Sequence, residues 1–98
     1  MKIFDTDNPA ADFAVKASGD SMEPDIPNGS ILLIKGTNEV RHAKTGIFFH
    51  DGNTYCKKLI RTEKGALLVS INKKYPPIPV SPDSDFRVFG EVIEVVPE

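Results

Sequence analysis

Asp51-Gly52-Asn53 separates two runs of strand-forming residues, Gly46-Ile47-Phe48-Phe49-His50 and Thr54-Tyr55-Cys56-Lys57-Lys58-Leu59-Ile60. Tight hairpin turns demand positive φ, and Asp-Gly tolerates it where most residues do not. The centre of the chain therefore predicts a β-hairpin, and any fold must be built around it.

Similar punctuation recurs elsewhere. Glu63-Lys64-Gly65 separates Leu59-Ile60 from Leu67-Leu68-Val69-Ser70 and predicts a second hairpin. Pro27-Asn28-Gly29 is a turn signal. It opens onto residues 30–35, a continuous apolar run read as a strand buried on both sides. Residues 13–17 alternate well enough for a short strand, and Met22 and Ile26 are spaced for a single helical turn. Residues 36–45 read as a polar connection carrying Arg41, His42 and Lys44. Tyr75-Pro76-Pro77-Ile78-Pro79 is excluded from a central strand, because proline has no N–H for the ladder. Residues 86–96 alternate again, and Gly90 within them marks a bulge or a close backbone approach. Residues 1–12 are polar, with Asp5, Asp7, Asn8 and Pro9, and read as a linker or N-terminal arm. Residues 13–98 then form one domain. The expected fold is mostly β: a compact domain of short strands and hairpins with little helix.

Composition narrows the function. Net charge is −2, and the only dense basic pairs are Lys57-Lys58 and Lys73-Lys74, so nothing draws the chain strongly to nucleic acid. No segment has the long helical apolar period of a helix-turn-helix. No apolar run approaches the roughly 20 residues that span a membrane. Met1-Lys2-Ile3-Phe4-Asp5 turns acidic at once, unlike a signal peptide. A lone Cys56 cannot form an internal disulfide, which fits a reducing cytoplasm. His42 and His50 fall in loop-like positions and read as solvated; with one Cys they make no zinc site, and no metal or cofactor is expected. Cys56 reads as a small core residue.

The chemistry lies in Ser18-Gly19-Asp20-Ser21-Met22-Glu23-Pro24 and in Tyr55-Cys56-Lys57-Lys58-Leu59. Serine and lysine together supply a nucleophile and a general base without His or Asp. The lysine must be neutral to act. A reference lysine titrates near 10.4 and a useful base nearer roughly 7–8, a gap of roughly 4 kcal/mol. Burial among apolar side chains supplies it by penalising the ammonium. Alternation places Lys57 with Tyr55 and Leu59, and Lys58 with Cys56 and Ile60. Both faces are partly apolar, so alternation does not choose the base. Acyl transfer also needs donors for the oxyanion, and the backbone N–H groups of Asp20 and Ser21 lie inside the turn. Gly19 lets that backbone bend close to a substrate. Met22 is placed to pack beneath the nucleophile. The bland alternative is that Ser21 caps a helical turn and that Lys57 is a solvated strand residue.

These residues resemble the peptidase domain of LexA-like proteins, which include LexA, UmuD-type proteins and the C-terminal domains of phage repressors. Ser18-Gly19-Asp20-Ser21-Met22-Glu23-Pro24 is similar to that family's nucleophile motif. Pro27-Asn28-Gly29-Ser30-Ile31-Leu32-Leu33-Ile34 resembles the turn and strand that follow it. Lys57-Lys58-Leu59, thirty-six residues after Ser21, resembles the segment carrying the base. The resemblance covers residues 13–96. It implies a Ser21/Lys57 dyad and chooses Lys57 over Lys58, which would be solvated or hold substrate. Ser18 is a further oxyanion candidate, since related signal peptidases use a nearby serine hydroxyl.

The resemblance also implies a substrate and partners. The usual substrate is the protein's own linker, cut at Ala-Gly or Cys-Gly some tens of residues before the nucleophile. Neither dipeptide occurs in this chain, and twenty residues precede Ser21, so the cleavage segment and the DNA-binding domain are read as absent. The family's trigger is a RecA filament, acting by population shift during an SOS response. DNA would be met only through the N-terminal domain. The family dimerises through this domain, and residues 86–96 are either that contact or an ordinary core strand. Three readings follow: a self-cleaving regulatory domain, a non-catalytic dimerisation module of a repressor, and a signal-peptidase relative. The last expects a membrane anchor and a Gly-Asp-rich segment after the lysine, where this chain has Ile60-Arg61-Thr62-Glu63-Lys64-Gly65.

Overall fold

The computed structural model describes residues 3–97. Among them eight strands form one antiparallel sheet: β1 (Ile3–Phe4), β2 (Phe13–Lys16), β3 (Ile31–Gly36), β4 (Thr45–His50), β5 (Asn53–Thr62), β6 (Gly65–Val69), β7 (Ile78–Val80) and β8 (Phe86–Val96). Their order across the sheet is β1-β2-β3-β8-β4-β5-β6-β7. The mostly β expectation is met, and no helix occurs among the described residues. Met22 and Ile26 make one i to i+4 turn, with the Ile26 N–H donating to the Met22 carbonyl at 2.8 Å. The turn is not extended because Pro24 and Pro27 remove donors.

The central hairpin joins β4 to β5 with His50 opposite Asn53. Asp51 and Gly52 take φ of 44° and 95°, as the turn requires. β5 and β6 form the second hairpin, Thr62 opposite Gly65. β7 contains Pro79 and lies at the sheet edge, where a missing N–H costs no ladder bond. Within the stretch read as a linker or arm, Ile3 and Phe4 pair with Val15 and Ala14.

β8, last in the chain, lies in the middle of the sheet between β3 and β4. It is bulged twice. Ile47 faces Gly90 and Phe48 faces Val88, which leaves Phe89 extra; Leu33 faces Glu94 and Ile34 faces Val92, which leaves Ile93 extra. Both extra residues are exposed. Gly90 satisfies both readings of its role, since it adjoins a bulge and is closely approached. A Cβ there would stand 2.4 Å from Ile34 Cγ2 and 2.6 Å from the Lys35 carbonyl oxygen.

Both faces of the central strands are packed. Val15, Met22, Ile26, Leu32, Ile34 and Ile47 form one core. Val40, Phe48, Leu59 and Leu68 form the other. Ile47 and Phe48 are chain neighbours, so β4 feeds one residue to each. Leu32, Leu33 and Ile34 are all buried, as expected for a run without alternation. The connection of residues 36–45 is less polar in effect than it reads. Val40 is fully buried, and Arg41 is tied bidentately to the buried Glu91, Nη2 to Oε2 at 2.6 Å and Nε to Oε1 at 3.3 Å. Packing one apolar residue and pairing the next pins the loop.

One expectation fails. His50 is buried at the end of β4; its Nε2 lies 3.2 Å from Ser84 Oγ and its ring meets Phe86 edge-on. The hairpin turn begins one residue later than the loop-like reading assumed, so His50 keeps its strand position. His42 is exposed, and its Nδ1 accepts the Arg61 N–H at 3.0 Å. Cys56 packs against the first core, as a small core residue should.

Gly90→Ala is expected to destabilise by about 1–3 kcal/mol, because the new methyl meets backbone on one side and a packed Ile on the other. Urea unfolding measures this, and a loss below a few tenths would show that β3 and β8 can separate freely.

Candidate active site

The site is assembled from three segments distant in sequence. The first is the turn after β2. The Ala17 N–H donates to the Ser30 carbonyl at 2.8 Å and the Gly29 N–H to the Ala17 carbonyl at 2.9 Å, closing the base of the loop. Gly19 has φ of 90°, a conformation side-chain-bearing residues rarely take, and its N–H donates to Asn28 Oδ1 at 2.8 Å. Met22 and Ile26 are buried in the first core. The turn is therefore anchored from below by apolar packing and across its mouth by Asn28. Ser21 is held between these anchors, half-buried.

The second segment is β5. Lys57 is only 7% exposed, and its Nζ lies 2.8 Å from Ser21 Oγ. Of the two adjacent lysines, Lys57 makes this contact; Lys58 faces the other way across from Thr45 and Val69. Lys57 lies on the same face as Tyr55 and Leu59, as alternation requires. The rings of Tyr55 and Tyr75 each lie 5.7 Å from Nζ. No carboxylate pairs with Lys57 among the described residues. Burial therefore sets its titration and pulls the pKa below the usual lysine range. The neighbouring Cys56 thiol is pushed up to about 11, chiefly by burial, so it stays protonated. A thiol nucleophile is thereby disfavoured.

The third segment, the loop between β6 and β7, was not legible as part of the site. The Asn72 N–H donates to the Ser21 carbonyl at 2.9 Å and its Nδ2 to the Asp20 carbonyl at 3.1 Å. Lys74 Nζ lies 2.8 Å from the Asp20 carboxylate, and the Tyr75 hydroxyl donates to the same carboxylate. These bonds, Lys74 first, hold the Asp20 carboxyl below its ordinary range. The sequence clue is Asn72-Lys73-Lys74-Tyr75-Pro76, a polar loop ending in a large aromatic, of which the sequence pattern marks only a basic pair at Lys73-Lys74 and a proline break from Tyr75 onward.

Two grooves meet at the Ser21–Lys57 contact. One, of about 580 Å³, runs past Ala17, Met22, Ile26 and Cys56. The other, of about 330 Å³, runs past Gly19, Asp20, Ser70 and Tyr75. Ser18, Ser21, Tyr55 and Lys57 line both. Among the described residues, 54–57 of β5 pair with β4 alone, because the β5–β6 ladder begins only at Lys58. An unpaired backbone edge thus borders the groove beside Lys57. The Ser21 N–H makes no hydrogen bond among the described residues. The described residues contain no cluster of His, Cys, Asp and Glu able to hold a metal, and no helix long and apolar enough to cross a membrane.

A serine hydroxyl touching a buried lysine amine, at the junction of two open grooves, is one recurrent form of nucleophile and base. The chain belongs to the Peptidase S24-like family, which residues 2–93 match. It is 31% identical over 84 residues to the LexA repressor of Magnetococcus marinus, covering 85% of this chain and 36% of that protein. It is also 31% identical over 84 residues to LexA repressor 2 of Xanthomonas axonopodis pv. citri, covering 85% and 39%. To the LexA repressor of Delftia acidovorans it is 27% identical over 86 residues, covering 87% and 38%. The chain thus spans under half the length of these curated relatives.

The lowered Lys57 pKa has a measurable consequence for stability. Between the folded and the unfolded pKa the unfolded chain holds more protons, so this group makes stability rise with pH in that window. Lys57→Met removes the slope. Wild type should gain on the variant as pH rises from neutrality toward about 10.4, by urea denaturation across pH. A constant difference would mean that the folded amine titrates like a free one.

Proposed function

We propose that this chain is a LexA-type serine peptidase domain in which Ser21 is the nucleophile and Lys57 the general base. The observation that carries the reading is the 2.8 Å contact between Ser21 Oγ and an amine that is almost completely buried. In the neutral form Lys57 accepts the Ser21 proton as Oγ attacks the scissile carbonyl. The new C–O bond forms as the carbonyl π bond opens, and charge collects on the carbonyl oxygen. The candidate oxyanion donors are the backbone N–H groups of Asp20 and Ser21, and that of Ser21 has no partner among the described residues. Collapse of the intermediate breaks the C–N bond, and Lys57 returns its proton to the leaving amine. Water then repeats the sequence on the ester, with Lys57 again taking the proton.

The substrate class follows from the grooves. A peptide laid along residues 54–57 would extend the sheet by one strand and present its carbonyl to Ser21. In the reading that the family favours, this peptide is a linker N-terminal to the domain itself, and the domain is the C-terminal part of a cytoplasmic repressor. DNA is then bound by another domain, and a RecA filament favours the conformer in which the linker enters the groove. The exposed Phe89, Ile93 and Val96 on β8 suit a homodimer contact. If the dyad is idle, the same surface would make the chain a dimerisation module.

The test is cleavage in trans. The chain is incubated, from neutral to alkaline pH, with an S21A polypeptide that carries an upstream linker with an Ala-Gly bond. Cleavage should rise with pH and fall by at least about a hundredfold in Ser21→Ala and in Lys57→Ala, both still folded. Lys58→Ala should lose far less. Activity retained in either dyad variant sinks the assignment, and no cleavage at any pH from a folded dimer favours the dimerisation module.

A further inference from the structure

We propose that the loop between β6 and β7 is a latch that sets the position of the nucleophile, with Asn72, Lys74 and Tyr75 as positioning residues acting through Asp20 and the Ser21 backbone. The inference rests on the peptidase reading of Ser21 and Lys57.

The argument begins with where the contacts fall. Asp20 and Ser21 receive four hydrogen bonds from this loop. Two from Asn72 reach their carbonyls, at 3.1 and 2.9 Å, and two from Lys74 and Tyr75 reach the Asp20 carboxylate. The loop is itself tied, since the Tyr75 N–H donates to the Asn72 carbonyl at 3.2 Å and the Lys74 N–H to Asn72 Oδ1 at 3.2 Å. The Tyr75 ring, fixed through its hydroxyl, also faces the Lys57 amine. One loop therefore touches the turn carrying the nucleophile and the amine that would activate it.

Magnitudes separate this role from a structural one. Lys74 and Asp20 are largely exposed, with side chains 63% and 38% accessible. Exposed pairs of this kind contribute roughly 0–1 kcal/mol to stability. The Ser21–Lys57 contact is far more demanding, because a hydrogen bond at 2.8 Å is lost by about 3.5 Å. A shift of well under 1 Å in the turn separates nucleophile from base without unfolding anything. Met22 and Ile26 hold the turn from the core side, but they lie after Ser21 in the chain. On the preceding side the Gly19 N–H is held by Asn28 Oδ1 at 2.8 Å, and the Asp20 carboxylate is the polar side chain adjacent to the nucleophile.

The experiment compares Tyr75→Phe, Asp20→Ala and the double variant in the trans-cleavage assay. In parallel, Lys57 is titrated by NMR of 13Cε-labelled lysine. Tyr75→Phe keeps the ring and removes only the donor. It should lower kcat about tenfold by letting Ser21 drift from the amine, with KM within about twofold and a melting temperature changed by no more than a few degrees. The double variant should be no worse than Asp20→Ala, since both remove the same bond. The Lys57 titration midpoint in Asp20→Ala should move in the same direction as in Ser21→Ala, because both remove the hydroxyl from the amine. The latch is overturned if both single variants keep wild-type kcat and Lys57 midpoint. It is also overturned if the two effects add fully, or if melting temperature falls while Lys57 titrates as before. If the wild type cleaves nothing, the peptidase reading fails by itself, and the Lys57 midpoints still decide whether the loop holds Ser21 against the amine.

Discussion

The site depends on keeping one amine out of water. Lys57 is buried without a carboxylate partner among the described residues. An ion pair would stabilise the ammonium and keep the proton on it. Burial alone does the reverse, and it is the dominant influence on this group. The two tyrosine rings oppose it weakly, since cation–π attraction at such separations is worth of order 1 kcal/mol. The balance favours an amine that can give up its proton, and it does so at some expense in stability near neutral pH.

That requirement explains the placement of β5. A strand at a sheet edge, or one with a single packed face, leaves every second side chain in solvent. β5 runs between β4 and β6 and is packed on both faces, Cys56 toward one core and Leu59 toward the other. Lys57 shares the face of Leu59 but lies where the β5–β6 ladder has not yet begun. It is thus inside the protein and next to a gap in the sheet. The turn carrying Ser21 reaches Lys57 beside this gap. The central position of β8 makes the arrangement possible, because the last strand joins the β1–β3 half that carries Ser21 to the β4–β7 half that carries Lys57. Gly90 lets the halves approach closely at that seam.

The parts of this picture that were legible in the sequence are those set by local chemistry. Asp51-Gly52 fixes a hairpin whatever surrounds it, and the prolines of residues 76–79 fix an edge. The Ser21 turn and the two lysines could be recognised as a motif, whereas choosing Lys57 over Lys58 needed the family resemblance. The structure makes the reason visible: both sides of β5 are apolar, so alternation carries no information about which lysine meets a serine thirty-six residues away. The loop of residues 71–76 was illegible for a related reason. The bonds within the loop, from the Tyr75 and Lys74 N–H groups to Asn72, say nothing of the site; the partner that ties the Asn72 and Tyr75 side chains to it, Asp20, lies 52 and 55 residues earlier. His50 was misread because a turn residue and the last strand residue are adjacent, and only tertiary packing against Phe86 shows on which side of that boundary it falls.

The gap in the sheet has a further implication. An unpaired backbone edge is ordinarily a liability, since any extended chain can add to it. Here the edge of residues 54–57 is short, it lies within a groove rather than at the rim of the sheet, and it ends at Lys57. A chain that adds to it is led to the serine. Under the proposed peptidase reading, the same property that invites nonspecific pairing serves recognition of the backbone, which is common to all peptides. Discrimination must come from the side-chain contacts at Ala17, Met22, Ile26 and Cys56 and from how the segment is delivered. For a linker supplied by the protein's own chain, delivery raises the effective concentration far above that of free peptides. Modest groove contacts then suffice, and an open groove with only weak selectivity of its own is compatible with cutting one bond.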